Sequence, residues 1–349
     1  MKNESIGNIS NIDALAEALC MGNRRALAKA ITLVESRRPE DVTKAQVLLN
    51  TILPQTGASR RIGITGVPGV GKSTFIEAFG LMLIEQGSKI AVLAIDPSSE
   101  RTGGSIMGDK TRMMELSRSD AAFIRPSPAG ATLGGVARRT RETMLLCEAA
   151  GFDIVVVETV GVGQSETAVS AMVDFFLVLA LSGAGDELQG MKRGIMELAD
   201  GIAINKAEAA YRQAAERAAQ HIRNALHFSA PKYDDWHVPV VLCSALERTG
   251  LSELWVLITQ FCEENSQRIG QIRRFQSVRW MREAVADGMQ QIVERNEAMR
   301  ALKQRLEASV FAQELTPTAA AMQFLEAVPS AFRSANAFGN SSGTNTPLP

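Results

Sequence analysis

Gly66-Val67-Pro68-Gly69-Val70-Gly71-Lys72-Ser73 fits the spacing G-x-x-x-x-G-K-[ST]. It follows the apolar stretch Arg61-Ile62-Gly63-Ile64-Thr65 and leads into a helical pattern opening at Thr74. Glycines at this spacing let backbone N–H groups turn inward around phosphate oxygens, and a helix N-terminus adds positive potential. Lys72 is placed to reach β- and γ-phosphates, and Ser73 to ligate Mg²⁺. The spacing predicts a phosphate-binding loop over Gly66, Val67, Pro68, Gly69, Val70, Gly71, Lys72, Ser73 and Thr74.

Further residues fall where such a loop needs help. Asp96 ends the apolar run Lys89–Ile95, and Glu158 ends Ile154–Val157. Carboxylates there point to the phosphate end of a parallel sheet, where they order an Mg²⁺ shell or a water. Gly161, three positions after Glu158, offers an amide to a γ-phosphate. Asn205-Lys206-Ala207-Glu208 follows the apolar stretch Gly201–Ile204, and Cys243-Ser244-Ala245-Leu246 follows Pro239–Leu242. The two segments look like the base-reading pair of GTPases. Glu208 would accept from guanine N1–H and the 2-amino group, Asn205 would brace the loop, and the Lys206 stem would lie over the ring. The expected nucleotide is therefore GTP or GDP with Mg²⁺. His221, His227 and His237 fall outside these segments, and no metal site is expected from them.

The elements that must hold these residues are legible as patterns. Strands are expected at 61–65, 89–95, 121–125, 153–158, 175–181, 201–205 and 239–243. Several are continuous apolar runs, which suits an α/β fold whose mostly parallel central sheet is covered on both faces. Before it, residues 1–57 read as an N-terminal helical subdomain. Ser10 or Asn11 is expected to cap a first helix that Gly22 ends. Asn23 caps a second, and Pro39 with Asp41 opens a third that stops near Pro54. Residues 58–264 form the nucleotide domain, 265–330 a helical arm, and 331–349 a polar tail expected to be disordered. In the arm Val278, Val285, Ile292, Met299 and Leu306 recur every seven residues, with Met281, Met289, Leu302 and Val310 in a neighbouring row. That seam fits one long helix or a helix pair, packed on its own domain or on a partner.

Composition narrows the class. The 349 residues are 46% hydrophobic and 21% charged, which is a globular balance rather than a disordered one. Thirty-seven basic against 38 acidic residues leave a net charge of −1, and aromatics are only 5%. Nucleic-acid binding is not expected on either count. No uninterrupted apolar run approaches ~18 residues and the N-terminus lacks a secretory core, so a cytoplasmic protein without membrane insertion is expected. Cys20, Cys147, Cys243 and Cys262 lack metal-ligand spacing and read mostly as buried thiols.

Longer stretches carry a family likeness. Ile95-Asp96-Pro97-Ser98-Ser99, Thr102 to Met113, Glu158 to Glu166 and Gly185-Asp186-Glu187-Leu188-Gln189-Gly190 closely resemble the MeaB/ArgK family of P-loop GTPases. The resemblance covers about residues 10 to 300. It implies a slow GTPase acting as chaperone to adenosylcobalamin-dependent methylmalonyl-CoA mutase, gating cofactor delivery and helping to remove damaged cofactor. It further implies switch segments at Asp96–Asp109, Glu158–Glu166 and Gly183–Gly194, with Asp109 joining Ser73, Asp96 and Glu158 around Mg²⁺. Lys72, Asp96 and Glu158 would serve hydrolysis, with Asp186, Gln189 and Lys192 contributing once the partner docks. A homodimer through the C-terminal arm is implied too. The family commonly ends its base-reading motif with aspartate, where this chain has Glu208. A kinase acting on amino-acid (lysine, arginine, ornithine) transport proteins is the alternative, ranked second because no acceptor-binding segment with a candidate base is visible. A nickel-loading GTPase of the same fold would need clustered cysteines or histidines, which the sequence lacks.

Overall fold

The structure is a computed structural model, and it describes residues 3–36, 38–95, 113–126, 133–159, 165–181, 193–228 and 231–337. The chain divides into two units, Met1–Gln276 and Ser277–Pro349.

The first unit is built on a seven-stranded sheet: β1 Arg60–Gly66, β2 Ile90–Ile95, β3 Ala122–Arg125, β4 Ile154–Thr159, β5 Phe175–Leu181, β6 Gly201–Asn205 and β7 Val240–Leu242. The order is β3-β2-β4-β1-β5-β6-β7, and every pairing is parallel. All seven strands lie where the apolar runs place them, because strands covered on both faces need no polar alternation. β1 sits in the middle, between β4 and β5, where the chain reverses its direction of travel across the sheet. Such a switch point opens a crevice at the C-terminal ends of the strands.

Helices α1 Asn3–Cys20, α2 Arg24–Glu35 and α3 Pro39–Ile52 precede the sheet. The first starts at Asn3, so Ser10 and Asn11 lie inside it and neither caps it. Helical spacing at Ile12, Leu15, Ala16 and Leu19 marks a buried face but says nothing about where the polar turns before it begin. Asn23 does cap α2, its side chain accepting from the Arg25 and Ala26 amides at 2.9 and 3.0 Å. These helices belong to the same unit as the sheet. The Arg24 guanidinium donates to the carbonyls of Ser119 and Asp120 at 3.2 and 2.8 Å, and Arg125 at the end of β3 pairs with Glu35.

Among the described residues the further α-helices of this unit are α4 Lys72–Glu85, α5 Met114–Arg118, α6 Leu133–Ala149, α7 Ser165–Ser170, α8 Arg193–Leu198, α9 Arg212–His227 and α10 Leu251–Glu264. The core between sheet and helices includes Phe75, Phe79, Phe175 and Phe261, all fully buried. At the N-terminal end of the sheet the Arg61 guanidinium makes two bonds to Glu148, at 2.7 and 2.9 Å, and both residues are buried.

α11 Ser266–Arg295 begins in the first unit and continues into the second, followed by α12 Glu297–Phe311 and α13 Pro317–Ala337. The seven-residue seam is broken: Asn296 ends one helix and caps the next, accepting from the Met299 amide at 3.1 Å. Met299 and Leu306, beyond the break, are buried, whereas Val278, Val285 and Ile292 before it are about half exposed, with Met281 and Met289 more so. One sequence period thus covers two environments. The last helix runs to Ala337, into the stretch expected as tail, and residues 338–349 lie outside those described. Among the described residues no helix is long and apolar enough to cross a membrane.

Gly63, in the middle of β1, tests the packing. A Cβ there would stand 2.8 Å from both Phe176 and Val169 and 3.0 Å from Val173. Overpacking a buried position typically costs about 1–3 kcal/mol. Gly63→Ala is therefore expected to destabilise the fold by that much in urea titration, and an unchanged midpoint would contradict the close fit between β1, β5 and α7.

Candidate functional site

The phosphate loop is a set of close backbone approaches. β1 ends at Gly66, where a Cβ would lie 2.6 Å from the Leu179 carbonyl oxygen on the neighbouring β5. Gly69 and Gly71 take left-handed conformations, φ +80° and +91°, that L side chains adopt only with strain. Val70 between them is fully buried and pins the loop to the core, while Pro68 and Gly69 are exposed at its tip. The loop closes through Val70 N–H to the Val67 carbonyl at 3.2 Å. α4 then starts at Lys72 with Gly71 as its N-cap, a residue with no side chain to cap the first amides. Uncapped amides at a helix N-terminus form an anion site. The Lys72 ammonium lies over the loop and donates to the Gly66 carbonyl at 2.7 Å. Ser73 is half-buried and Thr74 exposed in the first turn.

Asn205, the last residue of β6, joins this loop to the expected base-reading segments. Its Nδ2 donates to the Val70 carbonyl at 2.8 Å, and its Oδ1 accepts from the Ala245 amide at 3.1 Å. Lys206 has φ +61° and lays an exposed side chain along the loop, donating to the Gly69 carbonyl at 2.9 Å. The Ala207 amide donates to the Cys243 carbonyl at 3.0 Å. Glu208 Oε1 accepts from the Ser244 hydroxyl at 2.7 Å, and that hydroxyl accepts from the Glu247 amide at 3.0 Å. Ser244 is buried, and Leu246 is exposed at 78%. Burial and the nearby Glu208 carboxylate push the Cys243 thiol up to about 12, so it stays protonated and unreactive at neutral pH.

Glu158 is buried near the end of β4, paired with Ile64 of β1 and Ala94 of β2. The strand continues to Thr159, whose hydroxyl donates to that of Thr65 on β1 at 2.8 Å. β2 ends at Ile95, immediately before Asp96. Asp96 itself, Asp109, Gly161, Asp186, Gln189 and Lys192 lie outside the described residues. The structure thus brings the loop 66–74 together with Asn205, Lys206, Glu208, Ser244 and Ala245.

A parallel sheet with this loop between its central strand and the following helix, and an Asn-Lys-x-acid turn bonded to it, defines a P-loop nucleotide-binding protein of the GTPase class. The chain belongs to the MeaB family: the family model described as methylmalonyl Co-A mutase-associated GTPase MeaB matches residues 27–298. It is similar to the GTPase ArgK of Escherichia coli, 52% identical over 277 residues that span 78% of this chain and 84% of that one. The mouse (Mus musculus) methylmalonic aciduria type A homolog, mitochondrial, is 42% identical over 328 residues, 90% of this chain and 79% of its own. Among solved structures, that of a LAO/AO transport system kinase superposes with TM-score 0.74 at 40% identity, covering 92% of this chain and 98% of the other. The chain is accordingly a GTPase that binds guanine nucleotides.

Lys72→Ala tests the loop directly. Removing a charge-assisted contact to phosphate oxygens is expected to weaken GTP binding on the order of 100-fold. Calorimetry showing unchanged GTP affinity in a folded variant would refute the loop as the phosphate site.

Proposed function

We propose that this GTPase is a chaperone for an adenosylcobalamin-dependent methylmalonyl-CoA mutase, gating delivery of intact cofactor and assisting removal of damaged cofactor. The observation that carries the proposal is the family match over residues 27–298, whose description names that mutase. The mouse relative named for methylmalonic aciduria supports it.

In this reading Lys72 and the amides of Gly69 to Ser73 hold the phosphates, and Glu208, held by Ser244, reads guanine. The Ser73 hydroxyl and the Glu158 carboxylate are hard oxygen donors that suit Mg²⁺, directly or through water, and Asp96 and Asp109 are their proposed companions. The ion, when bound, neutralises charge on the β- and γ-phosphate oxygens. Mg²⁺ beside a nucleotide usually keeps several waters and takes phosphate oxygens with one or two protein ligands, so no closed protein cage is needed. Asp186, Gln189 and Lys192 are proposed to complete hydrolysis when the partner docks, so turnover of the chain alone is slow.

GTP turnover should therefore rise when a cobalamin-dependent methylmalonyl-CoA mutase is added to the full chain with Mg²⁺. The solved relative described as a LAO/AO transport system kinase favours a second reading, a kinase serving amino-acid transport. Turnover indifferent to the mutase, together with transfer of the γ-phosphate to a lysine/arginine/ornithine-binding protein, would select that reading instead.

The arm is proposed to pair two copies. Its support is the run of Val278, Met281, Val285, Met289 and Ile292, each at least 45% exposed along α11. Arg273, earlier on the same helix, is committed to the first unit: it takes the Asp174 carboxylate with bonds of 2.8 and 2.6 Å and the carbonyls of Gly57 and Ser59 at 2.6 Å each. Truncation after Gln276 keeps those contacts, and light scattering should then show a monomer that still binds GDP. A dimer persisting without the arm would sink this assignment.

A further inference from the structure

The segment 231–238, between α9 and β7, has almost no regular structure, yet it is held at many points. Trp236 Nε1 donates to the Asp200 carbonyl at 2.8 Å, and its ring stands edge-on to Phe261 at 4.9 Å. Tyr233 and Trp236 pair as an isolated bridge. Lys232 donates to the Asp200 carboxylate at 2.7 Å and to the Leu198 carbonyl at 3.2 Å. Arg268 takes the Asp235 carboxylate with two bonds of 2.8 Å. Irregular backbone fixed this firmly is pre-organised, and binding residues are often carried on such segments.

Between this segment, α8 and α9 opens a cavity of about 300 Å³. It lies where β6 and β7 begin, at the opposite end of the sheet from the phosphate loop. None of its lining residues belongs to that loop or to the base-reading segments. Leu226 and Trp236 give it apolar surface, and Arg223, His227, Lys232 and His237 set nitrogen donors around it. Two of the chain's three histidines are here. The Arg223 guanidinium is fixed at the wall by one bond from Nη2 to the Val240 carbonyl at 2.9 Å. Glu197 contributes a carboxylate to the same lining.

We propose that this cavity is a second small-molecule site, which takes a compact ligand carrying one oxyanion, phosphate or carboxylate, on an apolar body. The volume sits at the lower end for small-molecule pockets, which sets the size of the ligand. The Lys232 ammonium is already paired with Asp200, so the Arg223 guanidinium, which has donors beyond the one held by Val240, and the His227 and His237 imidazoles suit an oxyanion, while the tryptophan and leucine suit a flat apolar group. α8 walls the cavity with Met196 and Glu197.

The test is calorimetry on the full chain saturated with Mg²⁺ and GDP, which fills the phosphate loop. Phenyl phosphate, benzoate and inorganic phosphate are titrated in turn. One of the two aromatic probes should bind a single site with Kd of about 1 mM or tighter, and the tighter one identifies the oxyanion. Inorganic phosphate should bind about tenfold more weakly or not at all. His237→Gln changes an exposed residue, and it should weaken the aromatic probe about tenfold while leaving GDP affinity unchanged. Arg223→Gln should do the same, and because it also loses the Val240 contact its midpoint of unfolding is measured alongside. Absence of binding by both aromatic probes would overturn the proposal, as would binding that survives both substitutions. Inorganic phosphate binding as tightly as phenyl phosphate would overturn the apolar half of it.

Discussion

The nucleotide site depends on one buried carboxamide. Asn205 is 1% exposed, and it spends its donor on the Val70 carbonyl and its acceptor on the Ala245 amide. β1 and β6 are not neighbours in the sheet, since β5 lies between them. The carboxamide therefore spans the top of β5 and ties the phosphate loop to the proposed base-reading segments. Gly71 is part of the same constraint, because a Cβ there would come within 3.0 Å of Asn205 Nδ2. A buried amide that loses either partner leaves unpaired polar groups, at about 1–3 kcal/mol each. The loop's shape and the placement of Glu208 are thus set together.

A second network holds the other end of β1. The Arg61 backbone N–H donates to Asp174 at 2.7 Å while its guanidinium is taken by Glu148. Glu148 also accepts from the Gly57 amide at 2.9 Å, and Arg273 closes on Asp174 from α11. Buried ion pairs of this kind add little net stability, but breaking one leaves an uncompensated charge. Their effect here is geometric. The strand that carries the phosphate loop is clamped at its start by charge and at its end by the Asn205 bridge.

Much of this is legible in the sequence for a physical reason. Strands buried on both faces leave uninterrupted apolar runs, such as Ile154–Val157 and Phe175–Leu181, and a phosphate loop needs glycines at fixed positions. What is not legible lies in contacts that have no local pattern. Arg273 meets Gly57 across 216 positions, and nothing in α11 distinguishes it from its neighbour Arg274. The break at Asn296 is hidden because the seven-residue period happens to continue through it. Nor does the motif show that the Ser244 hydroxyl donates to Glu208, the residue that departs from the usual aspartate.

The most direct measurement is calorimetry of Asn205→Ala with two probes, GDP and inorganic pyrophosphate, the second reporting on the phosphate loop alone. If the carboxamide holds both halves of the site, affinity for both probes falls, by roughly tenfold or more, in a protein whose unfolding remains cooperative. Pyrophosphate affinity left intact while only GDP binding falls would contradict the account, and would make Asn205 a brace for the base-reading segments alone.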